Sequence, residues 1–176
     1  MKKSVLFSSE QIQIAVQSLA HRVATEYKGK KVVLIGVLDG SFIFMADISR
    51  AIFKAGLTDF EIAFVGISSY EENKQTSGNP KITKELSIPL AGKHVLLVED
   101  VIDTGLTLEF LISRIQQQSP ASLKICTLLS KTTRRKILVP IDFVGFEIKE
   151  DVWIEGYGLD TKHEGRANPH IVKVQF

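Results

Sequence analysis

The sequence predicts an α/β fold, a central and mainly parallel sheet flanked by helices, with a small hood formed by the C-terminal segments and the N-terminus. Three observations carry that prediction. Apolar runs of strand length alternate with segments of helical period through the first three quarters of the chain. The runs VVLIGV and HVLLV are apolar on both faces, as strands covered by helices on each side must be. Beyond Lys131 the alternation stops, and short strand-like stretches follow one another without helices between them. At 176 residues the chain suits one domain over 1–176, with a core at about 10–140 and a hood at about 141–176.

Ser8 followed by Gln11 forms a capping-box pair, and Ile12, Val16, Leu19, Ala20, Val23 and Tyr27 recur at helical spacing behind it. A strand at Val32 to Val37 follows the polar YKGKK stretch. After LDGS the period becomes helical from Phe42 to Lys54, closed by Gly56, and FEIAFVGISSY (Phe60 to Tyr70) reads as the next strand. EENKQTSGNP, Glu71 to Pro80, has no large apolar residue and predicts a long mobile loop. HVLLVED is a strand, a helix runs from about Thr104 to Gln118, and LKICTLLS is a strand again. DFVGFEI, VWIEGYGL and HIVKVQF supply the strands of the hood.

Apolar residues make up 44% and charged residues 24%, a globular composition. The net charge of +2 comes from 22 basic against 20 acidic residues and gives no support for a nucleic-acid partner. Cys126 is the sole cysteine, so no internal disulfide can form, and no Cys/His set has zinc spacing. MKKSVLF is too short for a secretory core and no run is long enough to span a membrane. A cytoplasmic protein is expected.

The most informative segment is VLLVEDVIDTGLTL, Val95 to Leu108. Glu99 and Asp100 stand where an apolar strand ends, at the carboxyl edge where open α/β sheets bind ligands. Carboxylates there can accept from the vicinal hydroxyls of a sugar or contribute to a divalent-cation site. Asp103, Thr104, Gly105 and Thr107 then make a small, hydroxyl-bearing turn that opens a helix, and free helix N–H groups suit a phosphate monoester. Taken singly, Asp100 or Asp103 reads better as a helix N-cap and Glu99 as a solvated strand end. The whole string points to a sugar phosphate.

Two acids, two apolar residues and D-T-G-x-T after an apolar strand resemble the diphosphoribosyl-diphosphate (PRPP) motif of type I phosphoribosyltransferases, and from Val32 to Val174 the chain resembles their hypoxanthine-guanine branch. That resemblance implies the type I phosphoribosyltransferase fold, with Glu99 and Asp100 on the ribose hydroxyls and beside magnesium. Asp103 would lie near N7 of a purine as general base, and Thr104, Gly105, Leu106 and Thr107 would wrap the 5′-phosphate. Lys131, in the pair Ser130–Lys131 directly after a strand, would donate to the C6 oxygen of the base; outside the resemblance it reads as a solvated lysine in a run with Arg134, Arg135 and Lys136. An ammonium only donates, which favours 6-oxopurines over 6-aminopurines.

DFVGFEI and VWIEGYGLD are similar to the family's DFVGFEI and FVVGYGLD stretches. They imply Trp153 as the base-stacking aromatic, a core tryptophan being the alternative, and Ile154 as a backbone reader of the base edge. Asp160 would ligate Mg2+, and Arg166 would grip pyrophosphate. LDGS, Leu38, Asp39, Gly40 and Ser41, would be the pyrophosphate loop, where the family often has Leu-Lys-Gly and a non-proline cis peptide. Asp39 departs from that lysine, which leaves the backbone N–H groups of Gly40 and Ser41 as the donors. Ser69 and Tyr70 match the Ser-Tyr pair of the family's mobile lid.

The resemblance implies transfer of phosphoribosyl from PRPP to N9 of hypoxanthine and/or guanine, giving IMP or GMP and pyrophosphate, by a homodimer or homotetramer. Two rivals stand beside it: a xanthine-preferring transferase, since the three bases differ at C2, and an RNA-binding pyrimidine-operon regulator with a related PRPP motif. Lys131, Trp153 and GYGLD weigh against the regulator.

Overall fold

The computed structural model describes residues 2–68 and 80–175. The expected lid pair Ser69–Tyr70 and the polar stretch 71–79 lie outside the described residues. Among those described, β2 (Val32–Leu38), β3 (Phe60–Ser68), β4 (Lys81–Lys84), β5 (His94–Ile102), β6 (Ser122–Lys131) and β7 (Phe143–Ile148) form one sheet in the order β4-β3-β2-β5-β6-β7. All neighbours are parallel except β4, an antiparallel edge strand on β3. The mainly parallel α/β architecture read from the sequence is thus present.

Alternation along β2 shows why its sequence is apolar on both faces. Val32 and Leu34 pack towards α1 (Ser9–Glu26) and α2 (Phe42–Lys54), with Ile12, Val16, Leu19, Phe44 and Ile48. Val33, Ile35 and Val37 pack on the other face, with Leu108, Leu111 and Ile115 of α3 (Leu106–Gln116). Truncating any one of these fully buried aliphatics to alanine costs about 2–5 kcal/mol. The capping box at α1 is formed in both directions between Ser8 and Gln11, and Tyr27, at the C-cap of α1, donates its hydroxyl to Val95 O on β5 at 3.1 Å. Among the described residues, no helix is long and apolar enough to cross a membrane.

The hood differs from expectation in its membership. Its sheet is β1 (Lys2–Phe7), β9 (Ile171–Gln175) and β8 (Trp153–Glu155), in the order β1-β9-β8, so the N-terminus does join it. DFVGFEI does not: β7 pairs in parallel with β6 and closes the main sheet, because the segment 132–142 crosses to it without a helix. Two boundaries also move. β5 continues to Ile102, placing Glu99 and Asp100 inside the strand, and α3 starts at Leu106 rather than Thr104 because Gly105 takes φ +88°. That left-handed value is natural only for glycine.

Candidate active site

The strand order reverses between β2 and β5, since β2 leads away to β3 and β5 leads away to β6. A crevice opens at such a point. From β2 the chain passes through Leu38, Asp39, Gly40 and Ser41 into α2, with a cis Leu38–Asp39 peptide. From β5 come Glu99 and Asp100. The two meet at Gly40, where a Cβ would lie 1.9 Å from Asp100 Oδ2.

Asp100 is buried, and its Oδ1 accepts the Val101 N–H at 2.8 Å. Burial raises its carboxyl above the usual range, opposed by that N–H and by the charge of Arg166. Glu99 is pushed well above the carboxylate range, first by burial and then by the adjacent Asp100, and its Oε2 is buried without a hydrogen-bond partner. A buried acceptor in that state is satisfied by hydroxyl donors or by a cation.

Beyond Ile102 the loop Asp103–Gly105 enters α3, whose first-turn N–H groups have no intrahelical partner. Leu106 N–H reaches Thr104 Oγ1 at 3.4 Å, and Thr107 follows on the first turn. The loop is braced from behind: Thr104 O accepts the N–H groups of Lys136 at 2.9 Å and Ile137 at 3.1 Å, and a Cβ on Gly105 would meet Ile137 O at 2.5 Å.

Lys131 ends β6 and is buried, although it sits in a basic run. Its Nζ donates to Val152 O at 3.0 Å and lies 3.8 Å from Asp103 Oδ2, which is also 3.6 Å from Arg134 Nη1. Asp103 Oδ1 is buried and has no partner. The arrangement is a carboxylate flanked by two cations with one buried oxygen that makes no hydrogen bond.

The hood supplies the rest. Trp153 is 41% exposed and donates its indole Nε1 to Thr161 Oγ1 at 2.8 Å, while Ile154 is buried and pairs with Lys173 across β8 and β9. That exposure sets Trp153 apart from a core tryptophan. Asp160 pairs with Arg166 at 2.9 Å and accepts the His163 N–H at 2.7 Å, and Arg166 also donates to Gly158 O at 2.6 Å. Gly158, at φ +101°, comes so close to the loop after β2 that a Cβ would lie 2.1 Å from Gly40 O. Tyr157 ties the same turn to α2 through a 2.6 Å bond from its hydroxyl to Asp47 Oδ2. Hood and crevice therefore form one site.

The phosphoribosyl transferase domain family matches residues 4–162. A hypoxanthine phosphoribosyltransferase of Haemophilus influenzae is 42% identical, with 99% of this chain and 98% of that protein covered. The chain belongs to the hypoxanthine-guanine phosphoribosyltransferase family. The Aquifex aeolicus hypoxanthine-guanine phosphoribosyltransferase is 38% identical over 99% of this chain and 96% of its own. A Bacillus anthracis hypoxanthine-guanine phosphoribosyltransferase crystal structure, with HEPES in its active site, superposes at a TM-score of 0.89 with 41% identity, covering 98% of each chain.

One residue of this phosphoribosyltransferase escaped the sequence reading. Arg135 looked like a solvated member of a basic run. Its Nε donates to Asp103 O at 2.9 Å, and its Nη2 to Ile102 O, Ser130 Oγ and Lys131 O at 3.1, 3.1 and 3.0 Å. The β5–β6 ladder ends at Ile102 and Ser130, and the guanidinium holds the two chain ends together beyond it. Nothing in the sequence separates Arg135 from Arg134.

Proposed function

We propose that the chain transfers the 5-phosphoribosyl group of PRPP to N9 of hypoxanthine or guanine, releasing pyrophosphate, with the described segments acting as one domain. The observation that carries this reading is the convergence of a buried lysine, a half-free carboxylate and an exposed aromatic face: Lys131 lies 3.8 Å from Asp103 and 3.0 Å from the carbonyl before Trp153. Lys131 donates to the C6 oxygen of the purine, Trp153 stacks on its plane, and main-chain groups at Ile154 meet its edge. Asp103 holds the proton at N7 through the oxygen that lacks a partner.

Glu99 and Asp100 accept from the ribose hydroxyls, and the Asp103–Thr107 turn receives the 5′-phosphate at the N-terminus of α3. Gly40, Ser41 and Arg166 face the departing pyrophosphate. Magnesium fits this donor set: the orphaned Glu99 Oε2, Asp100 and Asp160 are hard oxygen donors. Among the described residues no three metal-ligating side chains gather into a cage, which suits an ion that shares substrate oxygens. When bound it neutralises charge developing on pyrophosphate.

The test is nucleotide synthesis from PRPP, magnesium and each of hypoxanthine, guanine, xanthine and adenine. IMP or GMP formation without AMP is expected; formation of no nucleotide with any oxopurine overturns the reading.

A further inference from the structure

Trp153 is the one tryptophan of the chain, and it stands where the family's FVVGYGLD stretch begins with phenylalanine. An indole carries a polar edge that a phenyl ring lacks, and that edge must find an acceptor. Here it is Thr161 Oγ1, at 2.8 Å. Lys3, with the Thr161 hydroxyl beside it, holds the Glu155 carboxyl below its usual range against the effect of burial. Glu155 is only 3% exposed. Its charge is met by an ion pair with Lys3 of β1. The carboxyl group packs against Gly165, where a Cβ would lie 2.9 Å from Glu155 Cδ and Oε1, so a side chain at 165 is excluded.

The Lys3–Glu155 ion pair and the Trp153–Thr161 hydrogen bond thus lie in one polar layer of the hood, from its outer strand to the tryptophan. Its members come from β1, β8 and the turn that carries Asp160. The torsion that rotates an aromatic ring about its Cβ–Cγ bond has two broad states. For a phenyl ring they are equivalent; for an indole only one places Nε1 on Thr161.

We propose that the hydrogen bond to Thr161 selects one state of the Trp153 ring and so fixes the plane on which the purine stacks, with Thr161 as the positioning residue. This rests on the purine-transferase reading above. It also joins the base platform to the residue that follows Asp160, so that base and pyrophosphate ends of the site share one rigid turn.

The experiment is a cycle of Thr161→Val, Thr161→Ser, Trp153→Phe and the double Trp153→Phe/Thr161→Val, read by steady-state kinetics and by time-resolved anisotropy of the single tryptophan. Losing one neutral hydrogen bond corresponds to about two- to tenfold. Thr161→Val should raise KM for hypoxanthine by about that factor, leave kcat and KM for PRPP within about twofold, and add fast local motion to the indole. Thr161→Ser should restore both. In the Trp153→Phe background Thr161→Val should change KM for hypoxanthine little, because a phenyl ring has no N–H to place. An equal KM penalty in both backgrounds overturns the proposal. If the unaltered protein makes no nucleotide from any purine, the functional reading fails by itself, and anisotropy alone decides: unchanged indole motion in Thr161→Val overturns ring fixation. Should Thr161→Val not fold, Thr161→Ala, which removes the same acceptor with less bulk, carries the same expectations.

Discussion

Glu99→Gln separates stability from binding at the ribose end of the site. Glu99 Oε2 is buried without a partner, and the whole carboxyl group is held well above its usual range by burial and by Asp100. A group whose folded-state value is raised stabilises the fold below its unfolded value and loses that contribution as pH rises through the folded value. The burial that raises Glu99 therefore costs the free protein stability progressively as pH climbs above the ordinary glutamate range. Glutamine keeps the shape, carries no charge and can donate to Asp100. Relieving a buried unsatisfied polar group is worth about 1–3 kcal/mol, and at this chain length each kcal/mol moves Tm by about 2–4 °C. Thermal unfolding without ligand should show Glu99→Gln more stable than wild type by roughly 2–12 °C at pH 8, the gap closing towards pH 4. PRPP affinity, measured by calorimetry, should fall by about ten- to a hundredfold, the equivalent of a hydrogen bond to a charged acceptor. A stability gap that is absent at pH 8, or equal at pH 4 and pH 8, would refute the reasoning.

Arg135→Met leaves three main-chain carbonyls and a hydroxyl without their donor, and should lower Tm by about 3–12 °C and kcat by more than about tenfold, with Arg135→Lys intermediate; calorimetric scans and initial rates read both. Gly158→Ala forces a Cβ into Gly40 O at a left-handed φ, so pyrophosphorolysis assays should show a larger rise in KM for pyrophosphate than for nucleotide. Lys131→Met should raise KM for hypoxanthine about tenfold or more while narrowing the preference over adenine; unchanged selectivity in competition assays would remove Lys131 from its role.

The sequence made the site's strongest elements legible because local chemistry and tertiary need coincide there. Ser8 and Gln11 cap α1 through their own side chains, and the apolar alternation of β2 and β5 follows from burial on both faces. Asp103 and Lys131 were found as residues, but their 3.8 Å approach belongs to the β5–β6 register. β4, KITK, was missed because an exposed edge strand needs little apolar surface, and β1 because its partner, β9, lies at the far end of the chain. β7 was assigned to the hood because a crossover without a helix breaks the βαβ rhythm. Arg135 was hidden for a different reason: its partners are carbonyl groups, which every residue has.

The contact between Gly158 and Gly40 is made by main chain alone. The loop after β2 is held in place from the hood side without asking anything of the side chain at position 39, which is exposed. Asp39 can therefore differ from the family's lysine while the loop keeps its seat. If the loop receives pyrophosphate as proposed, position 39 is a dial on the charge that the leaving group meets, and it can be turned without disturbing the frame that carries it.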